Sequence, residues 1–258
     1  MAETPTNPYP QIAVANDLAL ADLRAALAAG WRDFLAHPIY GLFFGAIYVA
    51  AGLALAWALT ARGGSGLLLT VAAGFPLVAP FTAVGLYEVS RRREARLPLG
   101  WGAVLGALRG RGDDQLLMMG GFVFVGFTFW IILAHGIFAI FLAESGIGSE
   151  SLEIFRTNAG LAMLAVGGAI GALVAYVFYA VTVISLPMLV DRDVDFLTAI
   201  IKSLRAVQAN GPVMLGWAAF IAMALFVAML PAFLGLLVVL PVLGHATWHL
   251  YCRVCATT

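Results

Sequence analysis

The chain has 258 residues, 62% of them hydrophobic and only 11% charged, with 14 basic side chains balanced by 14 acidic ones. An ordinary soluble domain is about 25% charged, so too few polar side chains are present to cover a globule in water. With zero formal net charge, nothing suggests a nucleic-acid partner.

In chain order, Met1–Pro10 is polar and proline-containing, with no short apolar core ahead of a small-residue cleavage site. It is expected to be part of a disordered tail, residues 1–15, and not a signal peptide. From Asn16 to Ala36 the pattern predicts a helix with Leu20, Leu23, Leu27, Trp31, Phe34 and Leu35 on one stripe and Asp22, Arg24, Arg32 and Asp33 off it, ended by His37-Pro38. Nearly uncharged runs follow at Gly41–Ala61, Leu67–Ser90, Leu116–Ala143 and Ala159–Val190. Each exceeds the roughly 20 residues needed to cross about 30 Å of hydrocarbon. The last run, Pro212–Val254, divides at Pro231 into Val213–Leu230 and Ala232–Tyr251. The expectation is an all-α integral membrane protein with six transmembrane helices. Two further stretches, Leu97–Leu108 and Asp193–Asn210, have the mixed apolar and charged pattern of helices that lie on a membrane surface.

Basic residues decide the orientation. Twelve of them (Arg24, Arg32, Arg91, Arg92, Arg93, Arg96, Arg109, Arg111, Arg192, Lys202, Arg205 and Arg253) fall on one side of a six-span path, and only Arg62 and Arg156 on the other. The positive-inside rule then places both termini in the cytoplasm. Each surface helix precedes two spans, so residues 16–258 read as one membrane domain of three hairpin units, 16–93, 94–192 and 193–258. The second span of each unit carries a proline, Pro80, Pro187 or Pro241, where the missing N–H can kink the helix.

Few residues carry chemistry. His245 and His249 sit four apart, on one face of the last span, where two imidazoles can hold a metal or ligate haem, with His37 able to approach them. The same two histidines can equally hydrogen-bond across the bundle. Cys252 and Cys255 form C-x-x-C, which with His249 offers three zinc-type ligands; a mobile cytoplasmic tail is the plainer reading. Glu88 precedes Arg91 and Arg92 by three and four residues, a spacing that satisfies it with a local salt bridge. The run Arg91, Arg92, Arg93 and Arg96 suits anionic lipid headgroups. Gly41 with Gly45, then Gly102, Gly106 and Gly110, and Gly167, Gly171 and Ala175 recur at spacings of four and offer faces for close helix approach, either inside the bundle or against another membrane subunit. No phosphate-binding loop, nucleophile elbow or zinc-protease helix is present, so the expectation is a protein that is not an enzyme.

Several segments carry a resemblance. They are Gly74-Phe75-Pro76-Leu77-Val78-Ala79-Pro80-Phe81, Gly85-Leu86-Tyr87-Glu88-Val89-Ser90-Arg91-Arg92, His37-Pro38 before Gly41, and Gly244-His245-Ala246-Thr247-Trp248-His249-Leu250-Tyr251. Together, from about Ala15 onward, they resemble an uncharacterised family of bacterial integral membrane proteins, a domain of unknown function. Some members are labelled as cytochrome c oxidase subunits. The resemblance implies a multi-pass protein of the bacterial inner membrane, in contact with lipid and with other integral membrane subunits, and brings no catalytic residue with it. With six expected spans and four histidines, the chain lacks the twelve spans and many haem ligands of an oxidase catalytic subunit. A non-catalytic accessory or assembly factor of a respiratory complex is therefore the first expectation. A small-solute transporter or channel is the alternative, and a haem- or metal-binding protein the third.

The topology has a direct test. Cysteines placed at Gly64 and Gly148 should react with an impermeant thiol reagent added outside, and one at Thr258 should not.

Overall fold

A computed structural model describes residues 12–61, 83–109, 114–145 and 156–255. Among them every regular element is helical: α1 (Leu20–Ala36), α2 (Pro38–Ala61), α3 (Val84–Glu94), α4 (Trp101–Gly106, continued by a 3-10 turn Ala107–Arg109), α5 (Gln115–Ser145), α6 (Asn158–Thr182), α7 (Ser185–Asp191), α8 (Phe196–Ala209), α9 (Gly211–Met229) and α10 (Leu236–Val254). Four stretches are long and apolar enough to cross a membrane: Pro38–Ala58, Gln115–Phe141, Asn158–Asp191 and Gly211–Met229. Their outward faces expose Trp57, Phe124, Ile132 and Leu173, an arrangement stable in lipid because a helix satisfies its own backbone.

These four coincide with the first, third, fourth and fifth expected spans. The second, Leu67–Ser90, lies largely outside the described residues, which pick it up at Ala83. The sixth corresponds to α10, which contains His245, Thr247, His249 and Arg253 and so falls short of the apolarity of the other four. Its C-terminal half is buried by the rest of the protein: Gly244, His245, Ala246, Trp248, Leu250 and Tyr251 are all buried.

α10 is the helix the others gather on. α1 packs on its C-terminal half and α2 on its N-terminal half. The approach of α1 is close enough to exclude a side chain, since a Cβ on Gly30 would lie 2.6 Å from the Ala246 nitrogen and 2.7 Å from the Val242 oxygen. Gly41 and Gly45 do the same for α2. Their added Cβ atoms would meet Pro241 at 2.8 Å and the Leu237 Cα at 2.9 Å. The glycine pair expected as a partner-docking face is thus turned inward, because α2 and α10 can approach closely only where α2 has no side chain. Gly171 takes the ring of Trp130 on α5, and Gly102 and Gly106 have nothing within 4 Å.

α1 is also rotated from its expected stripe. Leu23, Ala26, Gly30, Asp33 and Phe34 are buried, while Leu20, Trp31 and Leu35 are exposed. The stripe counted apolar residues only, and the face α10 presents is partly polar. α6 and α7 are one apolar run interrupted near Pro187, whose ring supplies no N–H to the carbonyl four residues back. Beside this break α8 bridges two other backbone groups: Ser203 Oγ donates to the Ala180 carbonyl at 2.7 Å and accepts from the Ile184 N–H at 3.2 Å.

Both ends of the described chain are tied down. Residues 12–15, expected in the disordered tail, are held by Ala15 N–H to the Val254 carbonyl at 2.9 Å, Lys202 Nζ to the Ile12 carbonyl at 2.6 Å and Asn210 Nδ2 to the Ala15 carbonyl at 2.7 Å. Cys255, expected in a mobile tail, is buried, and Arg192 donates to its carbonyl at 2.7 Å.

Gly30→Ala should force α1 off α10. Overpacking of this kind costs roughly 1–3 kcal/mol, so thermal unfolding in detergent should show a clearly lowered midpoint, whereas Gly102→Ala, in open space, should leave it unchanged or raised.

Candidate functional site

Where α1, α3 and α10 meet, the fold places a polar cluster around the buried Asp33, Ser90 and His245, with Arg93 and Glu94 at its exposed edge. Asp33 is 3% exposed and lies at the C-terminal end of α1, with Arg93 of α3 paired to its Oδ1. His249 Nε2 donates to Asp33 Oδ2 at 2.9 Å, and Ser90 Oγ donates to the same oxygen at 2.5 Å. The other ring nitrogen of His249 lies 3.0 Å from Glu94 Oε1, and Trp248 Nε1 donates to Glu94 Oε2 at 3.0 Å. Ionised carboxylates only accept hydrogen bonds, so both nitrogens of His249 carry hydrogen and the ring is an imidazolium. The charges close on themselves: Arg93 and His249 against Asp33 and Glu94.

Burial alone would push the Asp33 carboxyl up, but the hydrogen bonds from His249 and Ser90 and the charge of the imidazolium outweigh it and hold it at about 2, against an ordinary 3.8. The hydrogen bond from His249 likewise lowers Glu94, ahead of the opposing effect of burial.

His245 completes the cluster. Ser90 has one proton and gives it to Asp33, so His245 Nδ1, 2.8 Å from Ser90 Oγ, is the donor in that contact. Its Nε2 is buried and has no hydrogen-bond partner among the described residues. The order His245–Ser90–Asp33 differs from that of a hydrolytic triad, in which the imidazole stands between the hydroxyl and the carboxylate. Ser90 is also fully buried, so this arrangement does not make it a nucleophile.

The candidates read from sequence sort as follows. His245 and His249 are brought together, but by hydrogen bonds to Ser90, Asp33 and Glu94. His37 sits in the turn between α1 and α2, its N–H bonded to the Asp33 carbonyl at 3.2 Å, and is not part of the cluster. The proposed metal set of His249, Cys252 and Cys255 is not assembled: both His249 nitrogens are occupied, and Cys252 points to Glu94 Oε2 at 3.7 Å. Burial pushes the Cys255 thiol up to about 11, away from the thiolate a metal needs. Among the described residues no group of three His, Cys, Asp or Glu side chains is placed to hold a metal ion. For haem, both His249 nitrogens are engaged, and the unpartnered Nε2 of His245 is buried.

Glu88 is satisfied locally, with Arg91 forking onto both oxygens at 2.7 Å and Arg92 Nε at 2.6 Å. Arg92 also donates to the Pro98 carbonyl at 2.7 Å. Arg91, Arg92 and Arg93, expected to meet lipid, are therefore engaged within the chain, because two buried carboxylates lie within their reach; Arg96 is left exposed. Sequence reasoning missed Asp33, Ser90 and Glu94. Asp33 was counted on the polar flank of its helix, and Ser90 and Glu94 stand beside a basic run that masked them.

The cluster yields a signed pH dependence. Since the folded-state value of Asp33 lies below its ordinary one, its contribution is present above about pH 4 and is lost as pH falls from 3.8 to about 2. Asp33→Asn should lower stability at pH 7 by on the order of 3 kcal/mol, the typical effect of removing one partner from a buried pair. The advantage of the wild type over the Asp33→Asn variant in thermal unfolding should shrink as pH falls through that same range.

Comparison with curated proteins and with solved structures gives no match. One family model does match, over residues 67–191, a little under half of the chain. These residues include α3 to α7, hence Ser90, Arg93 and Glu94 of the cluster but not Asp33 or the two histidines. The family is described as a predicted integral membrane protein, DUF2189, and it is this family that the middle of the chain is similar to.

Proposed function

We propose that this chain is a non-catalytic component of a larger membrane assembly, an accessory or assembly subunit of a respiratory, cytochrome oxidase-type complex of the bacterial inner membrane. It spans the bilayer six times as three hairpin units, with both termini in the cytoplasm. The observation that supports this reading best is the closure of the charges around the buried Asp33 on one another. Asp33, Glu94, Arg93 and His249 neutralise each other within hydrogen-bond distance, which suits a brace between helices better than a site that turns over a substrate.

The outward face of α6 supports the docking half of the proposal. Ala165, Gly168, Ala169 and Ala172 are exposed along it, and a Cβ on Gly168 would meet nothing within 4 Å. In lipid, helices associate through close backbone approach, and a face of small residues permits it.

A second reading, a small-solute transporter, draws on the interrupted α6–α7 helix, since broken spans line substrate sites in transporters. A cavity of about 400 Å³ between α3, α6, α9 and α10 lies beside that break, lined by Thr182 and Tyr179 among mostly apolar side chains.

Mild-detergent purification from native membranes separates the two. The subunit reading expects a stable larger complex, its yield falling about tenfold, the effect of roughly 1.4 kcal/mol, in Gly168→Leu with membrane insertion unchanged. A protein that purifies alone and moves a solute into liposomes would sink it in favour of the transporter.

A further inference from the structure

α1 has three distinct flanks. One packs on α10 through Leu23, Ala26, Gly30 and Phe34. The second holds Asp22 and Asp33, which reach Arg253 at 3.0 Å and His249 at 2.9 Å, toward the C-terminal end of α10. The third holds Leu20, Trp31 and Leu35, which are 62%, 45% and 58% exposed. At about 100° per residue these three fall within roughly 60° of arc, with Arg24 among them and Arg32 about 60° beyond Leu35. Both arginines are exposed, and neither has an ion pair or hydrogen bond among the described residues.

The direction of the third flank follows from its neighbours. Phe34 borders it and lies with Pro241 against Gly41, each within 3 Å of where a Cβ on that glycine would be. That contact is on the side of α10 from which the membrane-crossing α2 departs. The carboxylates lie on the other side, toward the chain end. α1 therefore crosses α10 with its apolar row toward the hydrocarbon and its acids away from it. An exposed apolar row with interleaved arginines at that level fits headgroups above and acyl chains below. α8 repeats the arrangement, with Leu197 and Ile201 exposed and Arg205 four residues further on, also exposed.

We propose that the outer flank of α1 is a binding surface for anionic lipid of the cytoplasmic leaflet: Leu20, Trp31 and Leu35 enter the acyl region, and Arg24 and Arg32 hold the phosphates. The lipid-binding cations are then these two, not the Arg91–Arg93 run, whose guanidinium groups serve Glu88 and Asp33. The inference rests on the spans and their orientation, and not on the identity of any partner complex.

The test uses the full chain in nanodiscs of phosphatidylcholine with or without phosphatidylglycerol, and two readouts. The first is phosphatidylglycerol retention by native mass spectrometry. At about 1 kcal/mol for each basic residue near an anionic surface, Arg24→Gln with Arg32→Gln should weaken retention about 30-fold, and the Lys pair should keep it. The second is the fluorescence of Trp31, taken as the difference between wild type and Trp31→Phe, which brominated acyl chains should quench. Retention unchanged in the Gln pair overturns the proposal, as does a Trp31 signal that brominated lipid does not quench because protein covers the face. If the Gln pair does not fold, the quenching of Trp31 in the wild type decides alone.

Discussion

Asp33 takes a carboxylate out of water at the point where helices from the beginning, the first third and the end of the chain converge. A buried charge of this kind is tolerated only when opposite charge and hydrogen-bond donors reach it from every open side. Here Arg93 and Ser90 come from α3 and His249 from α10. The demand fixes the rotation of α1, which must bury an acid along with Leu23 and Phe34, and with it the separation of α1 from α10, set by Gly30 against bare backbone. Once α1 is placed so, its apolar remainder, Leu20, Trp31 and Leu35, has to face outward. The ion cluster around Asp33 and the exposed hydrophobic row are two results of one rotation.

A relation among the three sequence units accompanies this. α1 packs on α10, the 3-10 turn and α4 pack on α3, and α8 packs on α6 and α7. In each case the leading helix of a unit lies on the second-span helix of the unit before it, with the first unit taking the last as its predecessor. α3, α7 and α10 in turn contact one another at the centre. A short amphipathic helix cannot bury its face within its own unit, so a neighbour supplies the surface, as in repeat proteins generally. The contacts are chemically unlike: an ion cluster under α1, a single serine, Ser203, under α8.

Helix positions were legible in the sequence to within a few residues, because long uncharged runs have only one stable form in lipid. Leu116–Ala143 was expected and Gln115–Ser145 is helical; Asp193–Asn210 was expected and Phe196–Ala209 is helical. The local pair of Glu88 with Arg91 and Arg92 was legible for the same reason, since spacing along one helix decides it. Contacts between helices were not. Nothing in the spacing of α1 distinguishes Asp33, which is buried, from Arg32, which is exposed, until α10 and α3 are beside it. Gly41 and Gly45 read equally well as an inward or an outward face, and only the position of Pro241 and Leu237 decides between them. The interruption at Pro187 was anticipated from proline's missing N–H, but the bridge that Ser203 makes beside it joins segments that no local pattern connects.

The pairing of Asp33 with His249 joins residues 216 positions apart, which bears on how the protein is made. Domains ordinarily begin to fold as the chain emerges, at about 5–20 residues per second. α1 leaves the ribosome with its acid and its bare glycine uncovered, and the helix that covers them comes last. At those rates the interval is roughly 10–40 s. Until α10 is made, the first helix lacks the surface that covers Gly30 and Asp33. A chain that stopped before α10 would therefore leave the Asp33 carboxylate and the bare backbone at Gly30 uncovered.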